Sequence, residues 1–275
     1  MTQVERTANG QSAQQKQQGP WHKGAARPLI VFVLALALWG ILWQLVAATF
    51  FSPYLLPTPS SVAVSLWSTI ESGELPAMIW MSFIRIMIGF FLGAMVGVLL
   101  GLAMGSSDTI SGLFDPVIEL LRPISTVAII PIALVWFGIG ESPKYFIVAY
   151  GVFFITVLNT VAGVRQTPLV RKRAAMCLGA KGWRLFFLIV LPSAVPYVMT
   201  GLRVALGSAF TSIIAAEMIA ANEGIGYFIM QARLLVQTQR IFVGLAALGL
   251  MGFAADRLFR LLSHVLLGKY VRVAR

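Results

Sequence analysis

The sequence predicts an all-α polytopic membrane protein, and three observations carry that prediction. Of the 275 residues, 58% are hydrophobic and only 11% charged, with a mean hydropathy of +0.84; a soluble domain carries more charge. The apolar residues gather in runs of about 20, the length of a helix that crosses a bilayer. The basic residues gather between and after those runs, as they do in cytoplasmic loops. A net charge of +11 alone would suit a nucleic-acid partner; its distribution argues against one.

Residues 1–28, rich in Gln and without an apolar period, are expected to form a disordered cytoplasmic tail. The run from Leu29 to Phe51 lacks a small-residue cleavage site, so it reads as a first span and not as a secretory signal. With that run at 29–51, the apolar windows place six spans, the others at about 79–104, 117–139, 144–164, 194–221 and 240–267. A short tail, 268–275, follows.

The loops orient the chain. Lys23 and Arg27 precede the first span, whereas residues 52–78 carry Glu71 and Glu74 and no Lys or Arg. Residues 165–184 carry Arg165, Arg171, Lys172, Arg173, Lys181 and Arg184, and the C-terminus carries Lys269, Arg272 and Arg275. The excess of basic residues puts both termini and the 165–193 loop on the cytoplasmic side. The 105–116 loop holds Asp108 and Asp115 and no basic residue; only the even count of spans places it inside.

Gly89, Gly93, Gly97, Gly101 and Gly105 recur every four residues along one face of the second span. Lipid gives no hydrophobic drive for helix association, so such a face reads as one that lets another helix approach closely. Met81, Met87, Met95 and Met104 read as packing. Pro123 and Pro131 in the third span, and Pro192 and Pro196 before the fifth, read as breaks or kinks.

The 165–193 loop is unusual for a membrane chain. From Pro168 to Gly182 the residues suit a short helix: Arg171, Lys172 and Arg173 open it, and Ala174, Ala175, Cys177, Leu178 and Ala180 give it a small, apolar surface. Gly179 permits a close backbone contact or a turn, and Trp183, Leu185, Phe186 and Phe187 lead back to the bilayer. Such a helix suits docking into a groove of another protein and equally suits resting on an anionic leaflet.

The spacing within that loop adds a resemblance. Ala174, Ala175, Gly179, Ile189, Leu191 and Pro192 read Ala-Ala-x3-Gly-x9-Ile-x-Leu-Pro, which resembles the "EAA" loop of ABC-importer permeases. One position departs: the family's Glu, a polar contact to the ATPase, is Arg173 here. The stretches LLPTPSSV (55–62), SFIRIMIGFFLGAMVGVLLGLAMG (82–105), LRPISTVAIIPIALVWFGIGESPKYFIV (121–148) and GLRVALGSAFTSIIAAEMIAANEGIGYFIMQAR (201–233) are similar to the nitrate/sulfonate/taurine permease subfamily. The resemblance implies a type I importer (MetI-like) fold in a bacterial inner membrane, with two permease subunits around a central pathway, two ABC ATPases beneath and an extracytoplasmic solute-binding protein that delivers substrate. It makes Arg173, Ala174, Ala175, Cys177, Leu178 and Gly179 the coupling element, with Trp183, Leu191 and Pro192 carrying force into the fifth span.

The chain's own chemistry agrees with a non-catalytic subunit. The only Gly-Lys pair, Gly268-Lys269, precedes Tyr270, so there is no phosphate-binding loop. ATP and Mg2+ are therefore expected on the partner ATPase, with no cofactor here. A single cysteine, Cys177, and two distant histidines, His22 and His264, support neither a metal cluster nor a Ser/His/Asp arrangement.

Intramembrane charges must pair or face water, so Arg85 and Glu217, at similar depth near the outer ends of the second and fifth spans, are expected to pair; Arg85 meeting an anionic substrate or snorkelling are the other readings. Arg203 and Asn159 are further pathway candidates. Glu119 with Arg122, and Asp256 with Arg260, have the spacing of local helix pairs. Residues 220–239 read as an extracytoplasmic turn and a short helix, near the face that meets the binding protein in the family arrangement.

Six spans are few for a complete pathway, which points to a homodimer or a pair of related permeases. The expected function is transport of a small solute such as a sulfonate, taurine or nitrate. The alternative is a homo-oligomeric channel or ion-coupled carrier without an ATPase, which has no use for the loop spacing.

Overall fold

A computed structural model describes residues 26–272. Among the described residues every regular element is helical. The expected tail at 1–28 lies outside them up to residue 25; residues 26–28 already belong to helix α1, Ala26–Phe50. With the residues to Pro59, α1 forms a unit of its own.

The second unit runs from Ser60 onward. After α2 (Pro59–Glu71), Gly73 turns the chain at φ +76° into the long helix α3 (Glu74–Ser106). Ser107 accepts the Ile110 N–H and so caps α4 (Asp108–Leu121). Then come α5 (Thr126–Phe137), α6 (Ser142–Arg165), α7 (Leu169–Cys177), α8 (Trp183–Ala220), α9 (Ile225–Leu234) and α10 (Thr238–Arg272). Residues 268–272 of the expected tail are helical and continue α10.

Helix α6 is the central strut, packed lengthwise on α3 and on α8. The glycine face makes the first contact possible. A Cβ on Gly89, Gly101 or Gly105 would lie 2.5–2.6 Å from the Cβ of Val148, Thr160 or Val164. The two helices run parallel, because the partner residues advance with the glycines. Phe91, Met95 and Leu99 point outward from the opposite side of α3, so Met104 is core packing whereas Met95 is not. On the other flank of α6, Gly201 of α8 lies against Asn159, and Gly163 of α6 against Tyr197. The core between these helices is Ile86, Phe90, Val148, Val152, Ala205, Ala209 and Ile213.

Two sequence expectations are corrected. The window at 117–139 is not one straight span: α4 and α5 meet at 102°. Pro123 has no N–H to continue the ladder, and the Ser125 hydroxyl accepts the Val127 N–H to start a new helix. Conversely, Pro192 and Pro196 do not interrupt the fifth span, which begins at Trp183 and not at 194. Residues Phe186–Val190 form a π turn, and its wider winding accommodates the ring of Pro192 where an α turn would clash.

Four helices, α3, α6, α8 and α10, are long and apolar enough to cross a bilayer, and the bent α4–α5 pair makes five if it counts as one crossing. The six expected spans require α1 as well, whose described apolar part is Ala37–Phe50.

Candidate functional site

The candidate residues fall at the two ends and in the middle of the helix bundle. The end that carries residues 165–182 presents α7. Arg173, Ala174, Cys177 and Leu178 are exposed there, while Ala175 is buried against the bundle. Leu178 is 89% exposed, an unusual position for a leucine. The helix ends on a Schellman motif: the Ala180 N–H donates to Ala175 O at 2.9 Å and the Gly179 N–H to Met176 O at 3.0 Å. Gly179 supplies the φ of +87° that this stop requires, and nothing lies within 4 Å of a Cβ placed on it. Of the two uses the sequence allows for Gly179, the structure shows the turn. Trp183 opens α8, exposed, with the Arg184 guanidinium over its ring and Phe187 beside it. Leu191 and Pro192 are half-buried inside α8.

The opposite end is tied by charge. The guanidinium of Arg85 donates to Glu217 at 3.0 Å, as the sequence predicts. It also donates to both carboxylate oxygens of Glu141, at 2.6 and 2.8 Å, and to the Glu223 carbonyl at 2.6 Å. Lys144 donates to Glu141 at 2.8 Å. Glu217 is 1% exposed and further accepts from the Ser82 hydroxyl and the Gly226 N–H. Ser82 in turn accepts from the Ile225 N–H. Two cations thus meet two carboxylates, and α3, α6, α8 and the 224–226 turn are joined at one point. The paired cations, Arg85 first, hold the Glu141 carboxyl below its ordinary value. Glu141 and Lys144 were missed as sites; their i, i+3 spacing at the start of α6 was the available signal.

Arg203, the charge left inside the fifth span, pairs across α8 and α10 with Asp256, Nε to Oδ1 at 2.7 Å. The expected Asp256–Arg260 pair also forms, at 2.6 Å. Arg203 thus has a carboxylate partner within the chain while its side chain stays half-exposed. The Glu119–Arg122 pair does not form among the described residues. Arg122 stands at the end of α4, where the helix stops, and lines a cavity of about 430 Å3 with Thr126, Tyr150, Asn159 and Ser208. Asn159 donates to Ile155 O at 2.8 Å.

Comparison with known proteins shows the family of the chain. Residues 89–266 match the family described as "binding-protein-dependent transport system inner membrane component". The chain is 33% identical over 250 residues to the taurine transport system permease protein TauC of Escherichia coli (strain K12), covering 89% of this chain and 91% of that one. It is 38% identical over 247 residues to the putative aliphatic sulfonates transport permease protein SsuC of the same organism, covering 87% and 94%. The nitrate import permease protein NrtB of Synechocystis sp. is 31% identical over 248 residues, covering 87% and 88%.

Proposed function

The chain belongs to the inner-membrane components of binding-protein-dependent transport systems, and on that premise we propose that it forms half of the pathway through which such a system imports a small anion, a sulfonate, taurine or nitrate. That family membership favours a permease subunit over a self-sufficient channel or carrier. A binding protein would deliver the anion at the Glu141–Glu217 end, and an ATPase would bind α7 at the other, cytoplasmic end. The second half of the pathway would be another copy of this chain.

One observation carries the coupling reading: α8 is unbroken from Trp183 to Ala220. A helix of 38 residues is about 57 Å long at 1.5 Å per residue, so it joins the exposed α7 region to Glu217 as one continuous helix that includes the π turn at Phe186–Val190. A displacement imposed on α7 would be passed along α8, while the Glu217 lock resists it at the far end. Arg173 in place of the family's Glu then implies an acidic partner surface on this system's ATPase.

The test is copurification with the candidate ATPase. Wild type should retain it, and Leu178→Asp, which puts a charge on an exposed apolar residue without disturbing the core, should lose it. Equal retention by both proteins would remove α7 as the coupling element.

A further inference from the structure

Arg122 is the one charged residue lining the cavity between the α4–α5 bend, α6 and α8, and no carboxylate lines it. Its depth follows from its neighbours. The lining residues of α6 run from Tyr150 to Asn159, the middle of a helix that spans Ser142–Arg165. The Tyr150 hydroxyl donates to Leu121 O at 2.9 Å, which fixes the end of α4 at that level. Arg122 therefore sits well inside the bilayer zone. Among the described residues it has no ion-pair or hydrogen-bond partner for its guanidinium, whereas Arg85 and Arg203 each have a carboxylate. An arginine at that depth must be met by water or by an anion, and the open cavity of about 430 Å3 beside the exposed Arg122 has room for a small one. A guanidinium presents a planar fork of donors that matches the oxygens of a sulfonate, nitrate or carboxylate. Around it, the Thr126 hydroxyl and the second amide hydrogen of Asn159 can donate to a ligand without adding negative charge, while the Tyr150 and Ser208 hydroxyls already donate to Leu121 O and Gly151 O.

We propose that Arg122 is the anion-recognising residue of a binding site halfway along the pathway, built on the α4–α5 break, and that it selects small oxyanions over cations and neutral solutes. Pro123 and Ser125 form the site by stopping α4 just after Arg122 and restarting α5, which opens the cavity beside the Arg122 side chain. The proposal deepens the importer reading and rests on it.

The experiment uses the whole importer, the chain with its ATPase and binding protein, in proteoliposomes. Uptake of taurine, ethanesulfonate and nitrate is measured for wild type, Arg122→Gln, Arg122→Lys, Arg122→Cys and Glu119→Gln. Arg122→Gln should cut uptake at least tenfold with the ATPase still bound, and Arg122→Lys should keep part of it. Arg122→Cys should recover severalfold when a trimethylammonium-ethyl methanethiosulfonate restores the positive charge. The sulfonatoethyl reagent should give no recovery, and treated wild type controls for Cys177. Because the charge is restored after folding, this arm reads correctly even if Arg122→Gln assembles poorly. Uptake by Arg122→Gln within twofold of wild type would overturn the site and leave the importer reading intact, as would equal recovery with both reagents. An equal loss in Glu119→Gln would assign Arg122 to an ion pair between two copies and overturn it too. If wild type imports none of the three anions, the anion-importer reading itself falls, and the site with it.

Discussion

Arg85 and Glu217 lie 132 positions apart in sequence and 3.0 Å apart in space, with both side chains almost wholly shielded. The contact is not a simple exchange of one charge for another. Glu217 also takes the Gly226 N–H and the Ser82 hydroxyl, and Arg85 also holds Glu141 through a two-pronged contact. A pair embedded this way is directional.

That asymmetry decides what substitution should do. Exchanging the two charges, Arg85→Glu with Glu217→Arg, should not restore a damaged protein, because the new glutamate would face Glu141 and the new arginine would face the Gly226 N–H. Arg85→Met should be the worst single change, since it leaves two carboxylates together; removing one partner of a buried pair costs about 3–5 kcal/mol. Glu217→Gln, which keeps the shape and some hydrogen bonds, should cost less. Melting in detergent, followed by size-exclusion of the heated samples, should rank the variants in that order, and a double exchange as stable as wild type would refute the directional lock.

The same cluster makes stability depend on pH through Glu141. Its carboxyl titrates below the ordinary value of 4.5 in the folded protein, so its contribution is fully present above 4.5 and is lost as pH falls through the lowered value. The melting temperature of wild type should exceed that of Glu141→Gln by a constant amount from pH 5 upward, in about one-unit steps. The gap should shrink only below pH 4.5. A gap that closes between pH 6 and 7 would show that another group is responsible.

Glycine positions separate packing from helix preference. Gly93 of α3 meets backbone of α6: a Cβ there would lie 2.9 Å from Ala149 Cα, and backbone cannot move aside. Gly207 of α8 has nothing within 4 Å. Gly93→Ala should lower the yield of monodisperse protein and its melting temperature. Gly207→Ala should be neutral or stabilising by about 0.5–1 kcal/mol, the helix advantage of alanine. Equal behaviour of the two would mean that the α3–α6 contact is looser than the structure shows.

These contrasts bear on how far the sequence could be read. The α3–α6 seam was legible because a glycine every fourth residue is itself a helix face. The α7 segment was legible from its charge, its small residues and the spacing to Pro192. The rest depended on partners remote in sequence. Nothing near Arg203 announces Asp256, 53 positions away, and Glu141 looks like a loop residue until Arg85 is brought over it. Local rules also failed in both directions at proline. Pro123 breaks its helix because a serine cap two residues on offers another start; Pro192 does not, because a π turn before it makes room. Helix spacing alone suggested a Glu119–Arg122 pair, and the pair does not form even though Arg122 keeps helical dihedrals and bonds Ile118 O.

The stop of α7 gives the clearest separation of a structural from a docking role. Gly179 holds φ at +87° to close the Schellman motif, a conformation costing a side chain about 1–2 kcal/mol, yet a Cβ there would meet open space. Leu178, one residue earlier, is exposed and takes no part in the core. Gly179→Asn should therefore be tolerated, because asparagine enters the left-handed region readily. Gly179→Val should fray the end of α7 and weaken ATPase retention indirectly, with faster hydrogen exchange at the amides of positions 179 and 180. Leu178→Asp should leave those amides protected while retention is lost. If Leu178→Asp instead exposes the amides as Gly179→Val does, Leu178 belongs to the helix stop and the docking surface must lie elsewhere on α7.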